Sequence, residues 1–189
     1  PLALASRNSF AQRDLIGSVF ADADEASLTV PDGPEEDPWA DLPRVNVMLL
    51  GSDSGPGRDD TRTDTVMVAS IDTTTGETIL FALPRNLLNL PFPDGPLHQA
   101  YPEGFSGEPA SEFWLSSVYL NVPAAHPEVF EGIQDPGAEA LKLGVGAALG
   151  LDIHYYVMVN LRGFDALVTA LGGIDVDVPY RIPMGTKKS

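Results

Sequence analysis

Residues 64–83 read DTVMVASID-TTTG-ETILFAL, and they decide the fold. Two β-rich runs flank four residues of turn chemistry, and Pro84 ends the second run. Strands joined by so short a connection pair antiparallel. With the turn centred between Thr74 and Thr75, the numbers of opposed residues sum to 149. Asp72 then faces Glu77 and Asp64 faces Arg85, with Cβ atoms about 4.5–5.5 Å apart. Arg62 lies two residues before Asp64 and shares its face where the strand reaches that far. A slip of one residue would carry Arg85 to the other face.

Upstream, residues 45–50 (VNVMLL) form a short apolar run that suits a buried strand. Residues 51–63 (GSDSGPGRDDTRT) follow as a loop. A loop of that length inside a compact domain is usually functional or disordered. If the first strand runs up and the hairpin runs down and up again, this loop sits at the top. Asp53, Arg62, Asp64 and Arg85 then gather at one edge of the sheet. That edge lies beyond a strand end, where open α/β sheets place their ligands.

Downstream, residues 86–134 are irregular and rich in Pro, Gly and aromatics, with one short helix expected near 111–120. Asp135-Pro136 is a helix start, with Asp as N-cap and Pro in the first turn. The helix runs to Leu149 and stops at Gly150. A strand over 153–160 (IHYYVMVN), a helix over 163–171 and a strand over 174–178 complete the pattern. The class is therefore α/β: a central mixed β-sheet with an antiparallel hairpin, covered by helices. Residues 1–43 read as a flexible N-terminal segment with a short helix over 11–20. It ends in an acidic, Pro-rich linker over 31–43 (PDGPEEDPWADLP). The folded domain is expected over 44–183, and residues 184–189 as a tail.

The 189 residues hold 27 acidic and 11 basic side chains, a net charge of −16. That balance argues against nucleic acid as a partner, because duplex binders neutralise phosphates with a basic surface. With no cysteine in the chain, a disulfide scaffold, a thiolate metal site and a cysteine nucleophile are excluded. No apolar run of about 18 residues spans a membrane. The chain opens on Pro rather than Met, which suggests a signal or anchor segment before it.

Between Val45 and Leu141 the only basic side chains besides histidine are Arg58, Arg62 and Arg85, all within or beside the sheet edge. Guanidinium forks match phosphate oxygens. Two carboxylates beside them suit a hard divalent cation such as Mg²⁺, shared between protein and pyrophosphate. Metal plus arginine stabilises a phosphate leaving group. The same residues also fit a structural Asp64–Arg85 ion pair beside a solvated loop, and spacing alone is compatible with both.

Four ordered stretches resemble the LytR-CpsA-Psr family of bacterial cell-envelope proteins. They are VNVMLLGSDS (45–54), TRTDTVMVASID (61–72), TILFALPRN (78–86) and LGLDIHYYVMVNLRGFDALVTALGGIDVDVPY (149–180). The resemblance implies an α/β domain with an apolar pocket for a polyprenyl chain, to which residues 87–92 and 138–149 could contribute. It also implies an N-terminal membrane anchor and a place on the extracellular face of the cytoplasmic membrane. The implied activity is transfer of a glycopolymer from a polyprenyl-pyrophosphate carrier onto peptidoglycan, with Mg²⁺ at the pyrophosphate. By motif match, Asp53 and Asp64 correspond to metal-binding carboxylates, and Arg62 and Arg85 to arginines that hold the pyrophosphate. Arg58 has no assured counterpart.

Three departures stand out. Asn86 follows Pro-Arg where the family commonly has Asp, and His98 stands where a Lys-x-Asn stretch is usual. Both are candidate substrate contacts. The family's later Arg-x-Arg segment and Asp/Arg/Gln-rich helix do not occur before Ser189. A non-catalytic module that binds polyprenyl phosphate or envelope glycan is the alternative to the enzyme.

Overall fold

The computed structural model describes residues 27–28, 42–53 and 62–180. Its centre is a five-stranded sheet. The strands are β1 (Ser27–Leu28), β2 (Arg44–Ser52), β3 (Thr63–Asp72), β4 (Thr78–Leu83) and β5 (Tyr155–Val159), in the order β1-β5-β2-β3-β4. β5 runs parallel to β2, and the other neighbours are antiparallel, so the sheet is mixed as expected.

The hairpin has the register read from sequence: Val66 opposes Leu83 and Ile71 opposes Thr78, each pair summing to 149. The Asp72 amide donates to the Glu77 carbonyl (2.9 Å), and Gly76 closes the turn at φ 74°. Asp72 Oδ1 accepts the Thr74 and Thr75 amides at 3.0 and 2.7 Å. Those bonds, those from Thr75 above all, hold the Asp72 carboxyl below its ordinary 3.8, with Arg44 adding a smaller push. A depressed carboxyl stabilises the fold above 3.8 and loses that contribution as pH falls through its folded value. An acid titration of the Asp72 carboxyl carbon by NMR should show a midpoint below 3.8; a midpoint at or above it refutes the capped turn.

Among the described residues, four α-helices complete the framework: α1 (Pro96–Ala100), α2 (Leu115–Ala125), α3 (Pro136–Leu149) and α4 (Leu161–Ala170). α3 has the predicted bounds. Asp135 Oδ1 accepts the Ala138 amide at 3.0 Å, Pro136 opens the first turn, and Gly150 ends the helix at φ 65°. Asp135 Oδ2 also accepts the Tyr156 hydroxyl at 2.7 Å, which ties α3 to β5. Burial and the neighbouring Asp135 carboxylate together push the Tyr119 phenol upward.

The side chains that alternate along β2 and β3 put Met48, Leu50, Val66 and Val68 on one face. There they meet Leu115, Val118 and Val122 of α2, Leu141 and Val145 of α3, and Tyr156 and Met158 of β5. Leu90, Phe92, Leu97 and Phe105 fill the remainder of this core. On the other face, Val47, Leu49, Met67 and Val157 are only partly buried, and Leu80 is exposed. α4 contacts β5.

Several expectations are corrected. Residues 174–178 are not a strand: Ile174, Val176 and Val178 are exposed, and no described strand pairs with them. Alternation of apolar and polar residues suits a strand but does not supply a partner ladder. The strand expected over 153–160 is shorter, and the helix expected over 163–171 begins at Leu161. The reason is Asn160, whose side chain accepts the Gly163 amide and starts the helix. The helix expected near 111–120 occupies Leu115–Ala125. Ser27–Leu28, inside the segment read as flexible, pairs with β5. At the end of the linker, the Thr73 hydroxyl donates to the Leu42 carbonyl at 2.6 Å. The expected helix over 11–20, most of the linker and the tail lie outside the described residues.

Candidate functional site

β2 and β5 end side by side, and a concavity of about 450 Å³ opens at those ends. The pairing of β2 with β3 steps at this point. Gly51 opposes Thr65, Ser52 opposes Thr63, and Asp64 is the extra residue between them. A bulge of this kind bends the strand and re-aims a side chain. Gly51 permits it, because a Cβ there would lie 2.9 Å from the Thr65 Cβ.

The loop that follows β2 is clasped at its base. The Asp53 amide donates to the Arg62 carbonyl at 3.2 Å, and the Arg62 amide returns a bond to Asp53 Oδ1 at 3.1 Å. Asp53 and Asp64 both line the concavity. Asp64 Oδ1 stands 2.7 Å from Arg85 Nη1, an ion pair without the alignment of a hydrogen bond. Their side chains are 36% and 44% exposed, so water weakens the pair as a source of stability.

Arg85 follows Pro84 in the turn after β4, and the backbone holds that turn in place. The Ser116 and Leu115 amides, at the start of α2, donate to the carbonyls of Arg85 and Leu87 at 3.0 and 2.9 Å. The guanidinium carbon lies 6.0 Å from the centre of the Trp114 ring, at the range where a cation is attracted to an aromatic face.

The structure therefore pairs Asp64 with Arg85, the two residues that the hairpin ruler sets opposite each other, and ties the Arg62 backbone to Asp53. Asn86 sits beside Arg85 in the exposed turn. His98 is exposed on α1 and is not among the residues that line the concavity. Arg58 lies outside the described residues. Sequence reasoning missed the rest of the lining: Ser52 and Thr65 beside the carboxylates, and Val159, Asn160, Leu161 and Phe164 from the β5–α4 junction. One signal was present. Asn160 separates an apolar run from an amphipathic one, as an N-cap does.

The concavity thus has an acidic side, Asp53 and Asp64, and an apolar side, Val159, Leu161 and Phe164. Leu161 and Phe164 are 72% and 53% exposed. Among the described residues, no three His, Asp or Glu side chains stand close enough to form an all-protein cation cage. Among them, too, no helix is long and apolar enough to cross a membrane.

The chain is similar to the polyisoprenyl-teichoic acid–peptidoglycan teichoic acid transferase TagU of Oceanobacillus iheyensis. The two are 28% identical over 135 residues, which is 70% of this chain and 34% of the relative. The chain thus spans about a third of the length of that relative. Among solved structures, TagT bound to LIIa-WTA superposes with a TM-score of 0.50 at 18% identity, over 82% of this chain and 46% of that one. Protein gbs0355 from Streptococcus agalactiae gives 0.49 at 23% identity, over 72% and 40%. The TagT likeness concerns the fold: a mixed sheet flanked by helices. Residues 36–188, most of the sequence, match the model of the LytR_cpsA_psr family, and the chain belongs to that family.

Proposed function

We propose that the protein transfers a glycopolymer from a polyprenyl-pyrophosphate carrier onto peptidoglycan, at the outer face of the cytoplasmic membrane. One observation carries the reading. In a chain of net charge −16 that belongs to the LytR_cpsA_psr family, Asp53 and Asp64 line one strand-end concavity, with Arg85 paired to Asp64 and the Arg62 backbone bonded to Asp53.

Transfer replaces the link between glycan and carrier by a bond to an acceptor hydroxyl. The hydroxyl loses a proton, and the departing phosphate gains charge. Arg85 opposes that charge: only one of its nitrogens meets Asp64, and a guanidinium carries five N–H donors. Arg62 adds a second positive charge at the loop base, where its backbone is fixed to Asp53. The apolar wall of Val159, Leu161 and Phe164 suits the first prenyl units of a carrier.

Mg²⁺ fits this donor set. It needs only one or two carboxylates when water and phosphate oxygens complete its shell, and Asp53 and Asp64 line the same concavity. Bound there, it would supply Lewis-acid neutralisation of the diphosphate. The carboxylates would hold it, while the neighbouring arginines orient the diphosphate.

The test is transfer of a labelled polyprenyl-pyrophosphate-linked glycan to peptidoglycan by the protein. Polymer-bound label is expected, lost on addition of EDTA and restored by Mg²⁺. Carrier binding with no transfer under any metal would leave a binding module and reject the enzyme.

A further inference from the structure

Buried polar side-chain atoms almost always find a partner in a folded protein. Among the described residues, the atoms that do not include Asn46 Oδ1, toward the far end of β2, and three near the site. Thr63 Oγ1 lies opposite Ser52 at the bulge, Ser116 Oγ lies beside the Arg85 turn, and Asn160 Nδ2 lies at the β5–α4 junction. Of these residues, Asn160 lines the concavity with Asp53 and Asp64.

Asn160 is 3% exposed, and its two polar atoms have different fates. Oδ1 accepts the Gly163 amide at 2.8 Å and caps α4. Among the described residues, Nδ2 has no hydrogen-bond partner. An N-cap needs only the oxygen, so serine, threonine or aspartate would start this helix as well. What distinguishes asparagine is the amide donor. An unmade bond on a buried donor is costly, and a ligand oxygen that completes it recovers that cost as affinity.

We infer that Asn160 is a substrate-binding residue whose side-chain amide donates to a phosphate oxygen of the bound prenyl diphosphate. This rests on the transferase reading of the same concavity. The placement agrees with general physics. The first turn of α4 has backbone N–H groups with no acceptor inside the helix, and the positive end of the helix favours an anion. Asn160 would hold the diphosphate from the β5 side, while Arg85 holds it from the β4 side. Carboxylates alone would repel an anion here, so a neutral donor on the far wall is the chemistry that completes the pocket.

Asn160→Ser keeps a capping oxygen and removes the amide. Calorimetry with farnesyl pyrophosphate and Mg²⁺ should show its dissociation constant raised roughly tenfold or more, since hydrogen bonds to charged groups are the stronger kind. Its melting temperature should match that of the parent. Asn160→Asp, which also keeps the cap, should bind still more weakly because it adds a negative charge. In the unaltered protein, the Asn160 side-chain amide resonances should move on addition of the same ligand, a readout that needs no variant to fold. Unchanged affinity in Asn160→Ser, or amide resonances that stay in place at saturation, overturns the inference alone when Arg85→Ala still loses binding. If the unaltered protein binds no farnesyl pyrophosphate with Mg²⁺ present, the transferase reading falls, and this inference with it.

Discussion

Arg85→Ala is expected to lower glycan transfer roughly 10²- to 10³-fold, the usual cost of losing one group aimed at developing oxyanion charge. The folded state should hardly notice. Both members of the Asp64–Arg85 pair are more than a third exposed, and such pairs contribute about 0–1 kcal/mol. The carbonyl of residue 85 would still receive the Ser116 amide, so the turn should persist. A large fall in transfer with an unmoved melting temperature is therefore the signature. Arg85→Lys sharpens it: the charge remains, but the two-pronged donor geometry is gone, so only partial activity should return. Transfer by the alanine variant within about threefold of the parent would mean that the ion pair is structural after all.

The second large effect is on stability. Gly104 has φ +83°, and a Cβ there would lie 2.4 Å from the Asn89 carbonyl oxygen and 2.6 Å from its carbon. These are backbone atoms, which cannot rotate away. They also belong to a paired segment: Phe105 donates to the Leu90 carbonyl at 2.8 Å, and Asn89 donates to the Phe105 carbonyl at 3.2 Å. Leu90 and Phe105 are each 1% exposed, so separating the two stretches disturbs the core. Overpacking typically costs about 1–3 kcal/mol, and the left-handed backbone adds about 1–2. Gly104→Ala should therefore lower the melting temperature by roughly 4–20 °C in a domain of this size. Gly132→Ala is the matched control, with φ +79° and nothing within 4 Å of the added methyl. It should show only the backbone part. Equal melting temperatures for the two variants would refute the steric argument.

The parts of the fold that are legible in the sequence share a physical basis. The hairpin register follows from a connection of four turn residues, because so short a link leaves few ways to pair its flanks. Asp64 and Arg85 meet as a direct consequence. α3 was bounded correctly because both of its ends carry cap chemistry, Asp135-Pro136 and Gly150. The other half of the site was not legible. Val159, Asn160 and Phe164 reach the carboxylates only through the parallel pairing of β5 with β2, a contact between segments more than a hundred residues apart. Local pattern is silent on which strand lies beside which. The same silence explains residues 174–178, whose alternation looked like a strand but which no described strand accompanies.

The reciprocal bonds between Asp53 and Arg62 pin together the ends of the chain that leave β2 and enter β3. Once its two ends are pinned, a connecting segment can grow at small thermodynamic expense, since each doubling of length adds only about 0.6 kcal/mol of closure entropy. A change in length between the two pinned ends should therefore leave the melting temperature of the sheet almost unmoved. Asp53 and Asp64 would keep their station through such changes, because the bonds that set it lie within the sheet and its clasp.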